Sequence, residues 1–381
     1  MSPKRIAEFS LLLSCFLFFA ASCASVPKVT GTAEEILFAM TTEEKVAQLF
    51  VLCLDQLDFK PGDDADSVQK KQPVKLNSRM KSVLRKYPVG GFCIFANNIK
   101  SKGQLKKLNR DLRNNSSILP ILAVDEEGGC VVRLAKTEAL AIQNVGTMES
   151  IGETGDVGKA REAGEYIGSY LSAYGFTVDF APVVDINTNP ENIVIGNRSF
   201  GSNPQMVSDM AAAFLDGLHA KGIKGSLKHF PGHGDTKGDT HEDYVAVDKD
   251  WEELLACELI PFKANMAQAD TIMIAHVSMT KVTSDGFPAS LSEELITGKL
   301  RGELGYQGVI LTDALAMGAI EKNYGSARAA VLAFEAGNDI LLMPKDFPLA
   351  YEAMLSAVNE GKITMERLDE SVLRILKLKG Y

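Results

Sequence analysis

The run Leu119-Pro120-Ile121-Leu122-Ala123-Val124 contains no polar residue, and Asp125-Glu126-Glu127 follows it directly. A run that is apolar throughout, rather than alternately apolar and polar, is typical of a strand buried on both faces of a parallel sheet. Seven more short runs are almost continuously apolar, at 49–54, 89–95, 177–184, 223–227, 271–274, 308–311 and 339–343. The sequence therefore predicts eight buried strands.

Helical segments separate the predicted strands. We predict them at 102–114, 158–174, 203–221, 249–268, 293–303, 326–336, 346–359 and 365–379. A further helix begins at Thr41-Thr42-Glu43-Glu44, where the threonine and the glutamate have the spacing of a capping box.

Eight strands that alternate with helices predict an α/β fold of the (β/α)8 TIM-barrel type. No linker, low-complexity tract or repeat occurs after residue 31, so we expect a single barrel domain over 32–381. The alternative is an open, doubly wound sheet. That fold would carry a glycine-rich turn after the first strand, and the sequence has none there.

The composition limits the classes of function. The 381 residues are 46% hydrophobic and 23% charged, with a formal net charge of −9. These values are those of a globular protein and exclude intrinsic disorder or a coiled coil as the main architecture. An acidic chain lacks the basic surface of nucleic-acid-binding proteins, so we expect no nucleic-acid partner.

The N-terminus has the features of an export signal. Lys4 and Arg5 precede an apolar run at 11–21, and small residues lead to Cys23. This order predicts a signal peptide over 1–22. A cysteine directly after small residues resembles a bacterial lipobox, which implies lipidation of Cys23 and a short tether over 23–31. We therefore expect an exported cell-envelope lipoprotein held at a membrane, with a plain secreted protein as the alternative.

The remaining cysteines and histidines do not indicate a metal. Four scattered cysteines are read as buried small side chains rather than as disulfides or zinc ligands. His229 and His233 are four residues apart, but Pro231 and Gly232 disrupt a regular helix between them, and the glutamate of a zinc-protease motif is absent. We expect no metal and no organic cofactor.

Polar residues follow five of the predicted strands. They are Asp125, Asp185, Lys228, His229, His276 and Asp313. Active sites of such barrels lie at the carboxyl ends of the strands, so these side chains are expected on one face. Each alone could be structural, for example a helix N-cap. Their convergence on one face predicts an active site.

The segment Lys228-His-Phe-Pro-Gly-His-Gly-Asp-Thr-Lys-Gly-Asp-Thr-His241 is similar to the signature loop of glycoside hydrolase family 3, in its NagZ-like β-N-acetylglucosaminidase (β-hexosaminidase) branch. Four other segments agree in the same order, at 40–50, 124–129, 179–185 with 198–201, and 309–314. The resemblance covers essentially the whole chain after the signal peptide. It implies a barrel fold, as the strand pattern does.

The resemblance also implies roles for individual residues. Asp313 resembles the nucleophile, and His241 resembles the general acid/base, oriented by Asp239. The residues that resemble those holding the terminal sugar are Asp125, Arg133, Arg198, Lys228 and His229. Cys130 departs from the family, since relatives often carry Arg after the glycine pair, and this puts the local loop packing in question.

These roles have a physical basis. Glycoside cleavage needs one group that protonates the leaving oxygen and one that meets the oxocarbenium-like centre. A histidine suits the first task because its ordinary pKa lies near working pH. Asp239, two residues before His241, could accept the other ring N–H. Gly232, Gly234 and Gly238 suggest a loop with unusual backbone angles.

The implied activity is that of a retaining exo-β-N-acetylglucosaminidase. It would remove terminal N-acetylglucosamine from peptidoglycan fragments or chitooligosaccharides, so a carbohydrate is the expected partner. A β-glucosidase or a glycosyl phosphorylase of the same family remains an alternative. A sugar-binding lipoprotein without catalysis, or a structural envelope protein, would belong to a different class.

Overall fold

The computed structural model describes residues 26–59, 72–236 and 245–381. Within these ranges the strands are β1 (Phe50–Cys53), β2 (Gly91–Cys93), β3 (Ile121–Val124), β4 (Val178–Asp179), β5 (Lys224–Phe230), β6 (Val245–Ala246), β7 (Thr271–Ile274), β8 (Val277–Ser278), β9 (Val309–Thr312) and β10 (Leu341–Leu342). Eight of them pair in parallel in the order β10-β1-β2-β3-β4-β5-β7-β9. A parallel bridge between Leu311 and Ile340 joins the two ends. The predicted TIM-type barrel is confirmed.

The strands are buried as their composition predicts. Every residue of β3, β7 and β9 is buried, because one face of the barrel wall meets the interior and the other meets the helices. Burying one Val, Leu or Ile side chain contributes about 1.5–3 kcal/mol. The short β6 and β8 pair with each other outside the barrel, and the sequence pattern did not predict them.

Helices surround the barrel. They are Ala33–Ala39, Thr42–Gln48, Ser78–Lys86, Lys102–Asn115, Met148–Gly152, Val157–Tyr174, Pro204–His219, Trp251–Ala256, Leu259–Asn265, Gly318–Ala336, Phe347–Asn359 and Met365–Leu378, with a π-helix at Glu294–Glu303. Thr41 accepts from the backbone N–H of Glu44, whose side chain accepts from Thr41 in return, so the predicted capping box is present.

Two predicted helices differ from the structure. The helix predicted over 249–268 is divided at Cys257, whose backbone is not helical. Pro261 lies in the first turn of the second helix. Backbone N–H groups in a first turn have no partner within the helix, so a proline costs no hydrogen bond there and favours a new helix start. The helix predicted over 326–336 begins earlier, at Gly318, and is interrupted at Gly325, which has a φ of 66°.

The long connections lie at the carboxyl ends of the strands, after β3, β4 and β5. The predicted signal peptide and Cys23 lie outside the described residues. From the predicted tether, Val26 and Val29 donate backbone N–H groups to Asn114 and Ser117, so this part contacts the barrel. None of the helices in the described ranges combines the length and the apolar composition needed to cross a membrane.

Candidate active site

A cavity of 330 Å³ opens at the carboxyl ends of the strands; we call it the main cavity. Six of the predicted site residues line it. They are Asp125, Arg133, Arg198, Lys228, His229 and Asp313. The other two, Asp239 and His241, lie outside the described residues. The structure thus brings together every predicted site residue that it describes.

Glu127 is the centre of a buried charge cluster in the wall of this cavity. Its carboxylate accepts two hydrogen bonds from the Arg198 guanidinium, both 2.8 Å long. It also meets the Lys228 ammonium at 2.5 Å. The side chains of Glu127 and Lys228 are only 1% and 2% exposed. These contacts fix the positions of the Arg198 guanidinium and the Lys228 ammonium beside the cavity.

Asp125 extends the cluster on the other side of Lys228. Its two oxygens lie 3.0 Å from the Lys228 ammonium and 3.2 Å from the Arg133 guanidinium. Arg133 also stacks on the Phe95 ring, 5.3 Å from its centroid. The Arg133 Nε is buried with no hydrogen-bond partner among the described residues. Arg133 is therefore part of the ion network and also lines the cavity.

The electrostatics of the cluster keep Glu127 and Lys228 charged. Burial alone would raise the pKa of Glu127, but Arg198 and Lys228 outweigh it and hold that pKa far below its ordinary range. Burial would lower the pKa of Lys228, but Glu127 and Asp125 raise it above its ordinary value. Two carboxylates and three cations then face one cavity. Charge-assisted hydrogen bonds of this kind suit the hydroxyl and carbonyl oxygens of a sugar.

His229 is oriented by Asp185, in the segment that follows β4. The Asp185 carboxylate accepts from both the backbone N–H and the ring Nδ1 of His229, the latter at 2.7 Å. The other ring nitrogen, Nε2, lies 3.5 Å from the Arg198 guanidinium. Asp185 also accepts from the backbone N–H of His233 at 2.7 Å. One buried carboxylate thus fixes the start of the signature loop.

Of the two described glycines of that loop, Gly232 has the predicted unusual backbone angle, and Gly234 is required for a different reason. Gly232 has a φ of 125°, a conformation that side chains disfavour. At Gly234 the limit is space, because an added Cβ would lie 1.8 Å from the Ile186 carbonyl oxygen. Gly238 lies outside the described residues. Glycine at 234 therefore lets the loop pack directly on the chain that follows β4.

Asp313 follows β9 and is partly exposed to the main cavity. Its carboxylate accepts from the backbone N–H of Ala314 at 2.7 Å. Burial raises the pKa of Asp313, but His276, His229 and the Ala314 amide outweigh it, and the net pKa lies below the ordinary value. The carboxylate is thus held ionised and pointed into the cavity, as a nucleophile requires.

Three residues with clear structural roles at this site were given no role by the sequence analysis, although Asp185 and His276 were among the polar residues expected on this face. Glu127 lies two positions after Asp125, so the period of an extended chain could have placed both carboxylates on one side. Asp185 was recognised only as a polar residue at a strand end. His276 is fully buried, and its ring nitrogens lie 2.7 Å from the Ser290 hydroxyl and 3.0 Å from the Ala314 carbonyl oxygen. The second contact holds the turn that follows Asp313.

Cys130 does not disturb its loop. A backbone turn holds Gly128 and Val131 together, and Val131 accepts from the N–H of Glu127 at 2.9 Å. The Cys130 thiol is exposed and lies 3.9 Å from the Asn197 side chain. In the described parts of the chain, no group of three or more His, Cys, Asp or Glu side chains is arranged to hold a metal ion.

Comparison with known proteins agrees with this geometry. Beta-hexosaminidase A of Pseudoalteromonas piscicida is 36% identical over 351 residues, which are 84% of this chain and 57% of that protein. The Beta-hexosaminidase of Tolumonas auensis is 35% identical over 274 residues, covering 71% of this chain and 80% of that protein. The chain thus spans little more than half the length of the first of these relatives.

Solved structures give the same picture. A glycoside hydrolase family 3 beta-N-acetylglucosaminidase from Paenibacillus sp. str. FPU-7 superposes with a TM-score of 0.81 at 37% identity, covering 90% of this chain and 62% of that one. LpqI of M tuberculosis superposes with a TM-score of 0.79 at 29% identity, covering 93% and 98%. The family described as "Glycosyl hydrolase family 3 N terminal domain" matches residues 41–378. The chain therefore belongs to glycosyl hydrolase family 3.

Proposed function

We propose that the protein is a retaining exo-β-N-acetylglucosaminidase that hydrolyses terminal β-linked N-acetylglucosamine from peptidoglycan fragments or chitooligosaccharides. One observation carries the proposal. A single cavity of 330 Å³ is lined by a cluster of three cations and two carboxylates and by an ionised aspartate at a strand end. Its volume suits a single sugar ring, which favours cleavage at a chain end. The names of the relatives support the acetamido preference.

In the first step, the Asp313 carboxylate attacks the anomeric carbon. The bond from that carbon to the leaving oxygen breaks, and the protonated His241 ring gives its proton to that oxygen. The product is a sugar ester on Asp313. Lys228, Arg198 and Asp125 hold the ring hydroxyls during the attack, so their hydrogen bonds fix the distance between the carboxylate and the carbon.

In the second step, His241 takes a proton from water, and the resulting hydroxide attacks the same carbon. The ester bond breaks, Asp313 returns to its carboxylate form, and two inversions give net retention. Asp239 would accept the second ring N–H of His241 and fix its tautomer. We therefore expect His241→Ala to lower kcat by about 10²–10⁴-fold, and less for an aryl substrate whose leaving group needs no proton.

The test is turnover of a panel of aryl β-glycosides, with the anomer of the first product read by NMR. Preferred cleavage of the β-N-acetylglucosaminide with retention supports the proposal. A preference for the β-glucoside assigns a β-glucosidase. Turnover that requires phosphate and releases a sugar 1-phosphate assigns a phosphorylase. Binding of N-acetylglucosamine without turnover of any substrate assigns a sugar-binding protein.

We also propose that the protein is exported and anchored to the cell envelope through a lipidated Cys23. The support is the order of basic, apolar and small residues before that cysteine. Cells fed an alkyne-labelled fatty acid should label the wild-type protein and not the Cys23→Ser variant. Labelling that persists in the variant, or a wild-type protein without label, contradicts the proposal.

A further inference from the structure

A second cavity of 410 Å³ adjoins the main cavity at the same end of the barrel; we call it the side cavity. Phe95, Ala314, Met317 and Met343 line both cavities. The side cavity is within the size range of sites for small molecules. The two cavities therefore adjoin along these four residues, so the side cavity is the space next to a molecule that fills the main cavity.

The side cavity adjoins the end of the main cavity near Asp313, away from the charged cluster. Asp125, Arg198 and Lys228 line the main cavity and not the side cavity, whereas Ala314, directly after Asp313, lines both. In the proposed reaction the charged cluster holds the hydroxyls of the terminal sugar, and Asp313 meets its anomeric carbon. The group attached to that carbon departs on the ring face opposite Asp313. It extends from the end of the ring that lies away from the cluster, where the two cavities adjoin.

The shared wall is apolar and rigidly placed. Met317 and Met343 are buried, and the Phe95 ring presents one face to the Arg133 guanidinium. Met343 has a φ of 45°, a left-handed conformation rare for a residue with a side chain and more frequent at functional sites. Apolar side chains of this kind pack against the C–H face of a sugar ring or against an aryl group.

Two polar side chains of the side cavity are already occupied. Gln56 accepts from the backbone N–H of Cys53 and donates to the Pro344 carbonyl oxygen. Asn98 accepts from the N–H of Phe95 and donates to the Pro73 carbonyl oxygen. These amides tie the loops together, which leaves the recognition of a ligand to the other polar groups.

Asp55 carries the charge of this cavity. Among the described residues that line the side cavity, it is the only carboxylate, and none is Lys, Arg or His. The Cys53 thiol hydrogen-bonds the Asp55 carboxylate. Asn97 is exposed beside it and offers an amide that donates and accepts equally well. The ligand-facing surface therefore combines one negative charge, one neutral amide and an apolar wall.

We infer that the side cavity is the subsite for the leaving group, and that Asp55 makes it select uncharged leaving groups, such as a second N-acetylglucosamine, over those that carry a carboxylate. The inference rests on the proposed function and sharpens it, because it favours chitooligosaccharides over muramic-acid-containing fragments. Its physical basis is repulsion between like charges in a partly buried site, where water screens them poorly.

The test uses two disaccharides that differ by one charge. One is N-acetylglucosaminyl-β-1,4-N-acetylmuramic acid, and the other is the same molecule with its lactyl carboxylate converted to a primary amide. The glycosidic bond and the leaving oxygen are identical in both. Burial raises the pKa of Asp55, so the assay is run at about pH 8 to keep the carboxylate ionised.

We expect the wild-type kcat/KM to be about tenfold higher for the amide than for the acid at low salt. Asp55→Asn should raise kcat/KM for the acid and bring the ratio to about two or less, while the amide changes less than about twofold. The control is Asp58→Asn, which removes a nearby carboxylate that is paired with Arg79 and does not line the cavity. The control should keep the wild-type ratio.

A measurement on the wild-type protein alone keeps the inference falsifiable if the Asp55 variant does not fold. Added salt screens the repulsion, so the ratio should fall toward one as the ionic strength rises. Equal kcat/KM for the two disaccharides at low salt, or a ratio unchanged by Asp55→Asn, overturns the subsite assignment. If the wild-type protein does not turn over an aryl β-N-acetylglucosaminide either, the proposed function itself is overturned.

Discussion

The two ends of the barrel each hold a buried cluster of acidic and basic side chains, and they use it differently. At the carboxyl end, Glu127 and Asp125 face Arg198, Lys228 and Arg133 around an open cavity. At the amino end, a single carboxylate precedes β10 and is surrounded by three arginines. The group consists of Asp339, Arg301, Arg367 and Arg374.

At the amino end, backbone and side-chain groups of the protein accept the hydrogen bonds that the three arginines do not donate to Asp339. Asp339 accepts from the Ser371 hydroxyl at 2.6 Å and the Ile310 N–H at 2.9 Å. Arg301 donates its remaining N–H groups to the carbonyl oxygens of Tyr306 and Gly308. At the carboxyl end, the surplus of donors faces a cavity instead. An ion cluster is therefore a candidate binding site when its unused donors point at space rather than at backbone.

The largest effect should come from Asp313, the proposed nucleophile, at the carboxyl end. We expect Asp313→Ala to lower kcat by about 10⁴-fold or more, or about 5.5 kcal/mol, because no other group meets the anomeric carbon. The Tm should change little, because the carboxylate borders a cavity. Initial rates on an aryl β-N-acetylglucosaminide and thermal unfolding measure both. Asp248→Asn, on an exposed carboxylate, is the control, and activity near that of the control in Asp313→Ala would refute the assignment.

The next largest effect should fall on stability, at the amino end. Asp339→Ala leaves three arginines without their shared carboxylate, and breaking a buried ion cluster in this way costs about 3–5 kcal/mol. Urea unfolding should show this loss, while kcat measured well below the Tm stays within about twofold of wild type. A large fall in kcat with unchanged stability would mean that the two ends do not divide function and stability as proposed.

The barrel was predictable from sequence, and parts of the site were not. Continuous apolar runs identify buried strands because burial on both faces depends on local composition, and the run predicted at 271–274 coincides with β7. The role of Glu127 depends on which strands become neighbours, since its partners Lys228 and Arg198 are distant in the sequence. Local patterns carry no such information.

The resemblance supplied the site residues that geometry alone would not. Asp125, Lys228 and Asp313 each follow a predicted strand, so their meeting at one end was expected. The same rule gave no reason to prefer Asp313 over Asp185, which also follows a strand. The structure separates them, because Asp185 has both oxygens engaged with the His229 and His233 backbone and ring, whereas Asp313 faces the main cavity.

A smaller effect should come from Glu127→Gln, which tests whether the cluster at the carboxyl end binds substrate. We expect KM to rise about 10–100-fold, or about 1.4–2.7 kcal/mol, because Arg198 and Lys228 lose the carboxylate that positions them. The pKa of Glu127 is lowered in the folded protein. Its stabilisation is therefore present above the ordinary carboxyl pKa and is lost as the pH falls below it. The stability difference between wild type and Glu127→Gln should shrink between pH 6 and about pH 3.

The smallest effect tests a lysine at the amino end that pairs with no carboxylate among the described residues. Lys379 contacts the Gln48 side-chain oxygen at 2.5 Å, and burial lowers its pKa to about 7. Above that pKa the unfolded chain binds more protons than the folded one. The buried ammonium therefore lowers the free energy of unfolding fully below about pH 7. This destabilisation disappears as the pH rises toward the ordinary pKa of a lysine. Lys379→Met should therefore stabilise the protein at neutral pH by about 1 kcal/mol, a figure reduced for its partial exposure. Urea unfolding should show this gain declining toward pH 10, and a gain independent of pH would mean that packing, not charge, is responsible.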